Sequence, residues 1–163
     1  KKLLYLMTFA LLITACSKDE VSINTNPKAI VGNWELEYFY RGERVDDSNQ
    51  QIDIDNAERY TKIDAQYSHT LVFTDLSECG LTQRYTDTDY SIHTYKVNGD
   101  NIDISEPCEK NISNTDVLMF HLTLGYPIKY KFKNGKLILG SLIDLYAGHT
   151  YNVAIYGFYK RKL

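Results

Sequence analysis

The residues best equipped for chemistry are thinly spread. His69, His93, His121 and His149 form no His-Glu-x-x-His run and no pair at metal-ligand spacing, so no zinc site and no metal ligand is expected. Asp53-Ile54-Asp55-Asn56 and Asp87-Thr88-Asp89 crowd carboxylates together. Neither is followed by the glycine and distant glutamate of a calcium loop, and both read as solvated loop acids. Gly-x-Ser-x-Gly, P-loop and dinucleotide fingerprints are absent, so no catalytic residue and no cofactor is expected. What remains is three cysteines, Cys16, Cys79 and Cys108, and 14 tyrosines. Tyrosine joins an apolar ring to a hydroxyl. Tyr38, Tyr40, Tyr95, Tyr130 and Tyr151 fall in stretches of strand character, as do Tyr156 and Tyr159. Turned inward, such rings either fill a core or line a cavity for a small amphipathic ligand, and both readings stay open.

Cys16 is placed by what precedes it. Lys1 and Lys2 lead into Leu3 to Thr14, a run without charge. It is too short for a spanning helix of about 20 residues and fits the apolar region of a secretory signal. It ends in Ile13-Thr14-Ala15-Cys16, which resembles the lipobox of bacterial lipoproteins, with Ile where Leu is commoner. The resemblance implies that residues 1–15 are a signal peptide and that Cys16 carries acyl chains, the lipid anchor to the membrane. The other reading is an ordinary signal peptide with an incidental cysteine. Ser17-Lys18-Asp19-Glu20 lacks the aspartate after Cys that accompanies inner-membrane retention. Its Lys followed by two acids resembles a surface-export signal, so the outer membrane is the expected location, with cell-surface display open. Residues 17–29 are a polar tether able to reach roughly 45 Å.

Removing residues 1–15 leaves 148 residues, enough for one domain with a core. Two of the 18 Lys and Arg lie in the signal, so 16 face 21 Asp and Glu, a net charge of −5 with neutral His. That balance argues against a nucleic-acid partner. With Cys16 acylated, Cys79 and Cys108 remain in an oxidising compartment, either bonded or as two separate thiols.

The elements that would position these residues are strands. Ile30 to Tyr40, Thr70 to Thr74, Leu81 to Thr86, Tyr90 to Val97, Asn101 to Ser105 and Val117 to Leu124 read as strands, the fourth and fifth joined across Asn98-Gly99-Asp100. Ile128, Tyr130 and Phe132 alternate with three lysines, and Asn134-Gly135 turns that strand into Lys136 to Leu145. Thr150 to Lys160 closes the chain. Short turns imply antiparallel neighbours. The expected fold is all-β: an up-and-down antiparallel barrel of about eight strands, whose closure removes exposed edges. Arg41 to Ser68 is a long polar connection after the first strand, read as a lid or a flexible loop, with Ile54, Ala57, Tyr60 and Ile63 spaced for a short helix.

Gly32-Asn33-Trp34 at the start of the first strand, the long connection after it, the hairpin from Tyr95 to Ile102 and the closing Tyr159-Lys160-Arg161 resemble lipocalin-like (calycin) domains of bacterial lipoproteins over residues 30–163, after a tether at 16–29. The resemblance implies a structural barrel floor of Gly32, Trp34 and Arg161, in which Trp34 packs beneath Arg161. The other reading leaves Arg161 a solvated tail residue. It also implies a non-catalytic module that binds a small amphipathic or lipidic ligand. The alternative is a filled barrel that docks or inhibits an unidentified protein partner. Three strands between Cys79 and Cys108 would put the thiols at opposite ends of such a barrel, too far apart to bond. If Thr86 to Asp89 were a bulge and not a reversal, they would share one end.

Overall fold

The computed structural model describes residues 27–46, 52–65, 68–76, 78–113, 128–144 and 151–163. Cys16, the signal segment, and the strand expected over Val117 to Leu124 lie outside the described residues. Among the described residues a short 3-10 turn, Pro27–Ile30, leads into nine strands: β1 (Gly32–Asp46), β2 (Thr61–Asp64), β3 (Thr70–Phe73), β4 (Leu81–Arg84), β5 (Tyr90–Asn98), β6 (Asn101–Asn111), β7 (Ile128–Lys133), β8 (Lys136–Asp144) and β9 (Tyr151–Arg161).

All pairings are antiparallel, and the sheet closes because β1 pairs with β9 from Trp34↔Arg161 to Asp46↔Tyr151. On its other edge β1 is shared: Gly32 to Glu35 pair with β3, and Tyr38 to Arg41 pair with β2. Eight strands therefore make a closed barrel, and β2 is an extra strand extending the β1 edge beyond the end of β3.

Local sequence explains most of the turns. Asn134 and Gly135 both take positive φ, 52° and 74°, which suits a tight hairpin between β7 and β8. The β5–β6 hairpin turns on Gly99 and Asp100, one residue later than the Asn-Gly pair suggests, with Asn98 still paired to Asn101. The segment Thr86 to Asp89 is a reversal: Tyr85 N and Thr86 N donate to Asp89 O, and Asp89 N donates to Thr86 Oγ1.

Inward and outward faces are separable because side chains alternate along a strand. One buried cluster draws on all eight barrel strands, among them Trp34, Leu71, Phe73, Leu81, Tyr95, Ile102, Ile128, Tyr130, Leu137 and Tyr159. It fills the end of the barrel where β1 begins, and Ile30 plugs it from below, accepting a 2.7 Å hydrogen bond from Trp34 Nε1. The alternate residues of β8 and β9, including Ile138, Leu142, Ala154, Tyr156 and Phe158, form a second cluster on the outer wall.

The long connection covers that outer wall. Ile52, together with Ile54 and Ala57 of a 3-10 helix, Ile54–Arg59, packs against the outer cluster, and Tyr60 stacks on Tyr156 with ring centres 5.6 Å apart. Lys131 and Lys133 on β7 reach Asp55 and Glu58 at 2.8 and 2.9 Å. The described part of the expected lid is thus a strap on the outside of the barrel. Its apolar residues have an outer wall to bury against, because β8 and β9 are apolar on both faces. Ile63 differs from them: on β2, opposite Phe39, it packs with Phe39, Val153 and Ile155 on the inner face.

Candidate functional site

Cross-strand partners share a face, so the floor cluster fixes which residues above it point inward. Leu71 opposes Gln83, and Gln83 opposes Ser91. Leu81 opposes His93. Above the apolar floor, His69 just before β3, Gln83 on β4, Tyr85 just after it, and Ser91 and His93 on β5 therefore point into the barrel, all at most 3% exposed. On the opposite side, β1, β2 and β9 continue upward with Phe39, Ile63, Ile155 and Val153. Polar side chains therefore gather on the β3 to β5 side of the interior, while the β1, β2 and β9 side is mainly apolar, with Arg41 and Ser141 paired on the face of Ile155.

The polar wall is hydrogen-bonded. His93 Nδ1 lies 3.0 Å from Ser105 O, which can only accept, so Nδ1 carries a proton. In the neutral ring Nε2 then accepts from Ser91 Oγ at 2.9 Å. His69 stacks on Tyr85 with ring centres 5.2 Å apart, and its Nδ1 is 3.1 Å from Tyr159 Oη. The Tyr85 hydroxyl donates towards Gln83 Oε1 at 3.5 Å. Burial pushes the Tyr85 hydroxyl up to about 12 and raises Tyr159 as well, so both stay protonated and neutral at physiological pH. At the end of β5, Asp89 accepts from Ser113 N and Oγ, which holds its carboxyl below the usual range.

The residues expected from sequence divide between the two faces. Tyr95 and Tyr130 point inward, but into the filled floor: Tyr95 lies edge-on to Phe73, and Tyr130 is 3% exposed. Tyr38 and Tyr40 do not line the interior. A register shift between Leu36 and Tyr38 inserts Glu37 and flips the alternation, turning both rings outward onto Phe158. Tyr151 begins β9, and its side chain is outside the described residues.

Gly32, Trp34 and Arg161 meet at the floor. Arg161 Cζ lies 5.3 Å from the Trp34 ring centre, and Arg161 Nη2 donates to Val31 O at 2.7 Å. A Cβ on Gly32 would stand 2.7 Å from Arg161 Nη2, and its φ of +143° is a second reason for glycine.

Cys79 and Cys108 are bonded, with S–S 2.09 Å and Cα–Cα 6.0 Å. The three intervening strands do not separate them, because β6 runs to Asn111 and holds Cys108 within it. Leu81 pairs with His93, and His93 with Pro107, so both cysteines stand level on either side of β5. Cys79 N donates to Thr94 Oγ1, which tucks the turn before β4 against β5.

Outside the barrel, a groove of about 500 Å³ lies between the strap and β7, lined by Ile52, Ile54, Tyr60 and the ion pairs Arg59–Asp53 and Lys129–Asp100. Among the described residues no three His, Cys, Asp or Glu side chains gather to hold a metal. Sequence reasoning missed the polar wall, since it judged histidines by their spacing along the chain. The usable signal was phase: His69, Gln83, Tyr85, Ser91 and His93 share the two-residue period of Leu71, Phe73, Leu81 and Tyr95. Comparison with protein-family models, curated proteins and solved structures finds no match.

Proposed function

We propose that this protein is a lipid-anchored envelope protein, attached to the outer membrane through Cys16, with a lipocalin-like barrel that holds a small amphipathic ligand and performs no chemistry on it. The observation that carries this reading is the divided interior. A polar side chain inside a barrel costs stability unless it is hydrogen-bonded, and a barrel with an all-apolar interior would avoid that cost. A half-polar, half-apolar interior is the composition that a ligand with both kinds of surface requires. An eight-stranded barrel is wide enough for one such molecule.

Native mass spectrometry of protein taken from its own cells tests the reading. The expected spectrum carries a mass above that of the acylated chain, and organic extraction removes it. A spectrum of the acylated chain alone overturns the ligand. A chain that starts at Lys1, or at Cys16 without acyl groups, overturns the anchor.

The second reading, a filled barrel that docks a protein partner, is favoured by the outer wall. There Tyr38, Tyr40 and Tyr60 are half-buried aromatic rings beside Lys62 and Lys136.

A further inference from the structure

The polypeptide joins the barrel at its floor. The turn Pro27–Ile30 runs beneath the start of β1, where Ile30 is fully buried and accepts from Trp34 Nε1, and Arg161 Nη2 donates to Val31 O. Among the described residues the exposed large apolar side chains are Leu76, 71% exposed, and Leu163, fully exposed, and both belong to this same end. Leu76 follows β3, whose Phe73 pairs with Gly32. Leu163 follows β9, where Lys162 N donates to Asn33 O at 2.9 Å. The two leucines therefore flank the first residues of β1, one on each side. The turn that carries Leu76 is pinned, since Thr74 N donates to Gly80 O at 2.9 Å and Cys79 is bonded to Cys108. Its leucine is held out in water, where an apolar side chain is unfavourable.

Given acylation of Cys16, on which this inference rests, the length of the tether decides what meets that end. Residues 17–26 span at most about 35 Å when fully extended. The 11 residues of β9 are about 36 Å of strand and, at the usual barrel tilt, rise roughly 28 Å along the axis. Bringing the far end of the barrel to the bilayer would draw the tether nearly taut along the whole wall, whereas bringing the floor there costs it little. The floor carries both signs of charge, Asp75, Glu78 and Asp100 with Lys28, Arg161 and Lys162, so its distinguishing feature is apolar. We infer that the floor is a membrane-contact face: Leu76 and Leu163 enter the surface of the bilayer that holds the acyl chains, and the opposite end of the barrel points away from it. A short tether holds the face at an effective concentration on the order of millimolar, so two side chains suffice to keep this orientation.

Paramagnetic broadening tests the contact. The acylated protein, with leucine and valine methyl groups isotope-labelled, is placed in nanodiscs of phosphatidylethanolamine and phosphatidylglycerol that carry a headgroup spin label. Methyl signals of Leu76, Leu163 and Val31 are expected to broaden, while those of Leu142 and Val153, towards the far end, keep their intensity. Leu76→Ser together with Leu163→Ser alters only exposed side chains, so the fold does not depend on them. That pair is expected to lower the ratio of docked to free barrel at least about tenfold, read as recovery of the Val31 signal. Leu76 and Leu163 signals no weaker than that of Val153 overturn the contact, whether the face meets water or a second copy, and leave the anchor standing. Unchanged Val31 broadening in the double variant also overturns it, because the tether alone would then set the orientation. Protein that does not co-elute with the discs lacks the anchor, and both readings fall.

Discussion

Single side chains carry two measurable consequences. Tyr85 is buried, and its hydroxyl is pushed up to about 12 from an unfolded value of about 10. The unfolded chain therefore loses this proton first. The associated stability is intact below pH 10 and declines as pH rises towards 12, by roughly 2–3 kcal/mol for this group. Urea midpoints across pH 9 to 12 should fall in the wild type, and Tyr85→Phe should make that fall shallower; equal slopes would place Tyr85 in water. Trp34 is 2% exposed, donates to Ile30 O and lies under Arg161. Trp34→Ala should cost roughly 3–5 kcal/mol, as other large-to-alanine core changes do. A denaturation midpoint unchanged within error would mean that the floor does not depend on the indole. The pairing of Trp34 with Arg161 was legible from a short resemblance, because strand ends fix which residues can meet. The outward turn of Tyr38 and Tyr40 was not, because a one-residue bulge at Glu37 leaves no mark in composition.

At the scale of elements, the disulfide and the strap decide how the barrel is held. The bond joins residues 29 apart across β5. Chain-entropy arithmetic for a loop of that size gives roughly 3–4 kcal/mol. The Cys79→Ser, Cys108→Ser protein should lose about that much in equilibrium unfolding, and an unchanged stability would contradict a formed bond. The strap depends on Gly140, where a Cβ would stand 2.7 Å from Ile52 Cγ2 and 3.2 Å from the Tyr156 ring. Gly140→Ala should displace Ile52 at a cost of about 1–2 kcal/mol and speed amide exchange over residues 52–60 about tenfold. Exchange that does not change would show that the strap is held elsewhere. The eight barrel strands were readable from alternation and Asn-Gly turns, whereas β2, inside the polar connection, was not. Strand length was not: β6 continues through Pro107 to Asn111, past the point where its alternation fades, because a register shift against His93 accommodates the proline. That extension brings Cys108 level with Cys79. The spacing of Ile54, Ala57, Tyr60 and Ile63 signalled a short helix, of which the structure keeps Ile54 and Ala57, but could not say which surface it would cover. Both faces of β8 and β9 are apolar, and only the closed barrel makes one of them an outside.

For the molecule as a whole, closure converts a two-residue period into a container with sides. Once β1 pairs with β9, every inward residue faces every other, and the scattered His69 and His93 become parts of one wall with Gln83, Tyr85 and Ser91. Phe39, Val153 and Ile155 face the same interior, with Arg41 and Ser141 paired with Ile155. The proposed function requires a small molecule among these inward side chains. Intermolecular nuclear Overhauser effects, measured on isotope-labelled protein carrying the unlabelled molecule recovered from it by organic extraction, locate it most directly. Contacts to inward side chains such as Phe39, Val153 and Ile155 are expected. Contacts confined to outer-wall residues such as Tyr38, Tyr40 and Tyr60 would contradict it.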